Sequence, residues 1–169
     1  PLDQACLKAP RLRYEVMAGT PEQIIRTASA VLGRSPLPPR SAFELVKWRD
    51  QVSGESELFD DVHRLRGAGI PVGWVILDNP WELGRCAGSL RFDPASFPDP
   101  RSMIARLHRA GVRLMLWVSP YAEVGCGAPY ARDALIGTGE YQAIDLTNRE
   151  ARNTFEGRLQ DLVTLGVDG

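Results

Sequence analysis

Short apolar runs alternate with longer amphipathic ones along most of this chain. Val72 to Asp78 (VGWVILD) and Val112 to Ser119 (VRLMLWVS) are dense in Val, Ile, Leu and Trp, the composition of strands buried on both faces. Ala42 to Trp48 (AFELVKW) predicts a strand before them, and Tyr141 to Leu146 a shorter one after. Between the strands, apolar residues recur at helical spacing. Leu58, Phe59, Val62 and Leu65 form one buried stripe, with Ser53 or Ser56 as cap and Gly67-Ala68-Gly69 as stop. Met103, Ile104, Leu107 and Ala110 form the next, opened by Asp99-Pro100 and closed by Gly111. Ala151, Phe155, Leu159, Leu162 and Val163 form the last, behind a capping box of Thr147 and Glu150, and Gly166 ends it. Val167 to Gly169 then reads as a further strand beginning.

Upstream the pattern differs. Leu12 to Met17 (LRYEVM) alternates and predicts a strand. Thr20-Pro21-Glu22-Gln23 is a helix start, with Ile24, Ile25, Ala28, Val31 and Leu32 on one stripe and Gly33 as its end. Arg34 to Arg40 (RSPLPPR) can be neither helix nor central strand, so it is the best internal boundary. Residues 1–19 therefore finish an upstream domain, 20–40 connect, and 41–169 form an α/β unit in which strand and helix alternate. Long loops follow the strands and short ones follow the helices, as in a (β/α)8 TIM barrel whose site lies at the carboxyl ends of its strands. About the first four strands are present, so the unit is a partial barrel truncated at strand 4. A chain that lacks the C-terminal half of its own barrel leaves an edge strand open, which predicts poor solubility alone or homo-oligomer formation.

Composition adds exclusions. Apolar residues make up 44% and charged residues 24% of 169, with a net charge of −1, so neither nucleic acid nor an anionic membrane is an electrostatic match. No apolar run nears the roughly 20 residues that span a bilayer. The chain starts at Pro1 with no basic or apolar leader pattern, which reads as an excised start. Cys6, Cys86 and Cys126 show no metal-ligand spacing, and the two histidines lie in helical patterns, so no metal or other cofactor is expected. Cys86 and Cys126 fall in successive loops, but an odd cysteine count without a framework favours free thiols and a cytoplasmic setting.

Chemistry concentrates where the apolar strands stop. Asp78 and Trp81 follow one strand; Trp117 and Tyr121 follow the next; Trp48 and Arg49 end the first. At the carboxyl end of parallel strands such residues form a binding site. A carboxylate accepts from two adjacent hydroxyls, and an indole offers a flat apolar face to a ligand.

The order and spacing of several segments carry a family likeness. YEVMAGTPEQIIRTASAVLGRSPLPP resembles the join between β-sandwich and barrel in glycoside hydrolase family 31, and residues 1–19 would then be the tail of that sandwich. VILDNPW followed by FDPASFPDPRSMIARLHRAGVRLMLWVSPY is similar to the family's second strand, helix entry and third strand, and IDLTNREARNTF with LGVDG to its approach to strand four. The resemblance implies a retaining hydrolase of α-linked oligosaccharides or glycosides, working with an Asp nucleophile and an Asp acid/base about 5 Å apart. Both would lie beyond Gly169, leaving this chain without turnover of its own. Asp78 matches the acid that binds hydroxyls of the sugar next to the cleaved bond. Trp117 matches a pocket aromatic, and Trp81, Trp48 and Arg49 are further substrate-binding candidates. Asp145 and Asp168 read as structural, Asp93 and Asp99 as loop and cap residues, and Glu82 and Glu123 as solvated loop acids.

Departures bear on substrate. Asp-Asn-Pro stands where many α-glucosidases of the family carry Asp-x-Asp, and DNPWELGRCAGSLRFDP looks closer to the branch of the myogenesis-regulating glycosidase, associated with α-galactosides. Glucoside, xyloside and galactoside all stay open. The alternatives are an inactive sugar-binding homologue and a family-36-like galactosidase barrel.

Overall fold

The computed structural model describes residues 10, 11 and 13–169, in two compact units, Pro1–Pro39 and Arg40–Gly169. In the first unit, helix α1 (Pro21–Leu32) starts as expected: the Thr20 hydroxyl accepts from Gln23 N–H and the Gln23 side chain accepts from Thr20 N–H. Its apolar stripe is uncovered, with Ile25 and Leu32 67% and 83% exposed. Leu12 of the strand expected upstream lies outside the described residues, and residues 13–17 form no strand. Extended chain without a pairing partner leaves its backbone groups to water, so the sandwich tail has no counterpart among the described residues.

The second unit holds the expected alternation: β1 (Leu45–Arg49), α2 (Glu55–Gly67), β2 (Val72–Leu77), α3 (Pro100–Arg109), β3 (Arg113–Leu116) and α4 (Arg149–Leu165). The three strands lie side by side in the order β1-β2-β3, all parallel. Beyond β3 the chain's last residues begin another rung, with Asp168 N–H donating to Leu114 O and Leu116 N–H to Gly169 O, both at 2.9 Å. This rung lies where the sequence pattern expects a further strand, although residues 167–169 are not themselves in a strand.

The sheet has two unlike faces. Val75, Leu77, Leu114 and Leu116 are 0 to 7% exposed and pack with Leu58 and Val62 of α2, Met103, Ile104 and Leu107 of α3, and Leu162 of α4. Each fully buried aliphatic of this kind is worth about 1.5–3 kcal/mol. Strand residues alternate between faces, so Val46, Trp48, Trp74, Ile76 and Met115 belong to the other side. Among the described residues of this unit no helix covers it: Val46 is 44% and Trp48 53% exposed.

Several local expectations need correction. Strand one starts at Leu45, because Arg40–Phe43 turns as a short 3-10 helix after Pro38-Pro39. Helix α2 is entered through Gly54 with no side-chain cap; instead the Glu57 carboxylate takes Ser53 N–H at 2.6 Å. The cap of α4 is Asn148, whose side chain accepts from Glu150 and Ala151 N–H, while Thr147 bonds Asp145 through its own N–H and hydroxyl. Asp99 caps α3 as expected, accepting from Ser102 N–H at 3.0 Å.

The loop after β3 is more structured than its composition suggests. It folds into a small antiparallel sheet of β4 (Tyr121–Glu123), β5 (Leu135–Ile136) and β6 (Tyr141–Ile144), ordered β4-β6-β5. Ala122, Ala134, Ile144 and Ala151 form a second small core beneath it. The loop after β2 docks on β4: Glu123 N–H donates to Ala87 O at 3.0 Å, and a side chain on Gly88 would meet the Ala122 backbone. This close approach brings Cys86 and Cys126 together in a disulfide, with Cα atoms 5.8 Å apart. The free thiols expected at those two positions are therefore corrected.

Candidate functional site

Trp48 sits opposite Ile76, and Ile76 opposite Met115, in the parallel register. Two residues on from Ile76 is Asp78, and two on from Met115 is Trp117. Alternation thus puts Trp48, Asp78 and Trp117 on the uncovered face, at the carboxyl ends of three adjacent strands.

The Trp48 indole N–H donates to Asp78 Oδ2 at 2.7 Å, and Asn79 N–H donates to Asp78 Oδ1 at 2.7 Å. Each carboxylate oxygen so has one fixed donor and keeps a lone pair for a ligand hydroxyl. The Trp117 side chain is 41% exposed, while its backbone is held from two sides: its N–H donates to Leu77 O and its carbonyl accepts from the Trp81 indole N–H, both at 2.8 Å.

The other candidates lie elsewhere. Arg49 is one residue past Trp48 and so faces the helices. Its guanidinium donates to Glu57 and, at 2.6 Å, to Asp61, which also pairs with Lys47 at 2.9 Å. Arg49 fastens β1 to α2 in place of the expected sugar contact. Trp81 is 1% exposed, its ring 5.0 Å from that of Phe92, which is in turn 5.7 Å from Phe97. It is a core residue rather than a pocket wall, because the loop after β2 folds back across it: Asp93 N–H donates to Trp81 O at 3.0 Å.

Glu82, expected in solvent, is also buried, at 1% exposure. Its Oε2 accepts from Gly88 N–H, Leu90 N–H and the Ser89 hydroxyl at 3.0, 2.6 and 3.2 Å, and so shapes the turn at 88–90. Burial pushes its carboxyl above the usual range, and the bonds from Leu90, Ser89 and Gly88 oppose the rise. The Tyr130 phenol is raised to about 12 by burial and by the Glu82 charge. Glu123 lies on β4 with Oε2 3.4 Å from Ala87 N–H. Asp145 is lowered by its hydrogen bonds from Thr147, and Asp168 accepts from His108 and from Leu114 N–H.

One group of metal-type donors comes together among the described residues, Cys86, Glu123 and Cys126, and two of its three atoms are already joined as the disulfide. A groove of about 590 Å³ runs between Ser53, Phe59, Ser96 and Arg106, and carries none of the site candidates.

Sequence reasoning missed the Arg49 network and the Glu82 cradle. The first had a signal: Lys47 and Arg49 alternate with Val46 and Trp48, and Glu57 and Asp61 are spaced four apart on one helix face. The second had none beyond Gly88, whose φ of 102° suits the turn that Glu82 holds.

Parallel strands, helices against one face, and a polar and aromatic rim at the carboxyl ends define a barrel-type α/β domain. Residues 35–169 match the family described as "Glycosyl hydrolases family 31 TIM-barrel domain", and the chain belongs to that family. It is 25% identical over 177 residues to the alpha-xylosidase XylQ of Lactiplantibacillus pentosus, covering 93% of this chain and 23% of that protein. It is 32% identical over 91 residues to the myogenesis-regulating glycosidase of Mus musculus, covering 44% of this chain and 13% of that one. The crystal structure of an alpha-xylosidase from Xanthomonas citri superposes with a TM-score of 0.71 at 21% identity, over 88% of this chain and 18% of the other, a likeness of fold. The chain therefore spans about a quarter or less of the length of these relatives.

Proposed function

We propose that this chain is the opening part of the catalytic barrel of a retaining glycoside hydrolase acting on α-linked glycosides. The observation that carries the reading is the grouping of Trp48, Asp78 and Trp117 at neighbouring strand ends on one uncovered face, with the Asp78 carboxylate held at both oxygens. Asp78 would accept hydroxyls of the sugar at the cleaved bond, and the exposed indole of Trp117 would pack on its C–H face. The reading gives Trp81 and Arg49 no direct contact with sugar.

In the full-length protein, two carboxylates following Gly169 in sequence would complete the site about 5 Å apart, one as nucleophile and one as acid/base. The names of the relatives, xylosidase among them, support an α-linked pyranoside as the substrate class.

The test is Asp78→Ala in the full-length protein, assayed on aryl α-xyloside, α-glucoside and α-galactoside. Hydrogen bonds that tighten in the transition state lower kcat and raise KM together, so kcat/KM falls about 10-fold or more. An unchanged kcat/KM removes Asp78 from the site.

A further inference from the structure

We infer that Trp48 is a positioning residue: its indole N–H sets the orientation of the Asp78 carboxylate. The inference rests on the reading of Asp78 as the acceptor of sugar hydroxyls. Asp78 follows the last residue of β2, where the ladder no longer constrains its side chain. A carboxylate held by its own loop alone, through Asn79 N–H on Oδ1, stays free to swing about Cβ–Cγ. The second donor comes from a different strand and reaches the other oxygen: Trp48 Nε1 lies 2.7 Å from Oδ2. Two donors from two strands, one per oxygen, fix the plane of the group and aim its remaining lone pairs.

Trp48 is 53% exposed in this chain, and its one polar atom is committed to the Asp78 carboxylate. The neighbouring indoles show how its role is specific. Trp74 donates to Ser41 O and Trp81 to Trp117 O, both backbone acceptors; Trp48 alone of these three donates to a carboxylate. Phenylalanine would offer a similar apolar surface at position 48 without the N–H. The bland alternative is that Trp48 acts by stacking directly on the sugar, and the two roles separate by experiment.

Trp48→Phe and the replacement of Trp48 by benzothienylalanine, an isostere of tryptophan with sulfur in place of N–H, are made in the full-length protein with and without Asp78→Ala. A lost bond to a charged acceptor predicts that both replacements lower kcat/KM about tenfold when Asp78 is present. With Asp78→Ala they change it less than about twofold, because the bond is already gone. Full kcat/KM in the benzothienylalanine protein overturns the inference, as does an equal loss in both backgrounds, which would mean direct stacking. The Trp48 indole proton gives an independent readout: its NMR resonance moves in Asp78→Ala, and an unmoved resonance overturns the bond itself. Should Asp78→Ala leave kcat/KM unchanged, the functional reading fails while the resonance still decides the bond.

Discussion

The two faces of the three-stranded sheet are built from the same strands, one residue out of step, and they differ in nearly every property. On one, Val75, Leu77 and Leu114 are wholly buried against helices, and the charges that occur there, Lys47 and Arg49 with Glu57 and Asp61, neutralise one another. On the other, Val46, Trp48 and Trp117 are exposed, and Asp78 is bonded to an indole and a backbone amide, with no ion pair to it among the described residues. A carboxylate among cations is spoken for; one held by neutral donors keeps its charge available to a ligand. The difference teaches that in a parallel sheet the parity of a residue, as much as its chemistry, decides whether it serves stability or binding.

The sharpest way to break this contrast is to cut side chains on each face. Leu114→Ala should cost about 2–5 kcal/mol in urea unfolding, and Met115→Ala, its neighbour on the uncovered face, under about 1 kcal/mol. In the full-length protein, where a closed barrel would cover that face, the Met115→Ala cost should rise toward that of Leu114→Ala. Equal costs in the isolated chain would erase the distinction.

Next in size is a comparison of the two carboxylates. Asp61→Ala leaves Lys47 without its ion-pair partner and Arg49 with Glu57 alone in a mostly buried site, and should lower stability by about 1–3 kcal/mol. Asp78→Ala should lower it by less than about 0.5 kcal/mol, its cost appearing in kcat/KM instead.

The smallest effect tests the loop at the rim. Glu82 has its carboxyl raised above 4.5 by burial. Its folded pKa is above its unfolded one, so the stability it contributes is fully present below the unfolded value and is lost as pH rises through the folded value. The melting temperature of the native chain relative to Glu82→Gln should therefore drop between mildly acidic and neutral pH. A difference that grows with pH would contradict the direction.

Much of the second unit was legible in the chain, because central strands and amphipathic helices leave different periods. Val72 to Leu77 and Met103 to Leu107 are where their patterns place them. What escaped has physical reasons. β4 and β5 run only 3 and 2 residues, too short for any period to register, whereas β6 lies within the strand read at Tyr141 to Leu146. At the site, Asp78 and Trp117 reach the strand ends as read, but Trp48 and Arg49 were grouped although adjacent strand residues point to opposite faces. The local pattern puts Trp81 at the rim and Glu82 in solvent, because a long polar loop suggests exposure. Their burial depends on that loop folding back on itself and on β4, a contact between segments some 30 to 40 positions apart that no local pattern announces.

The bond between Cys86 and Cys126 ties the shape of this rim to the electron balance of its surroundings. It closes a ring 40 positions long, and where glutathione keeps thiols reduced that ring opens. The loop after β2 would then rest on β4 through the Ala87–Glu123 hydrogen bonds and the Gly88–Ala122 contact alone, and the rim beside Trp117 would be as firm as its redox milieu allows.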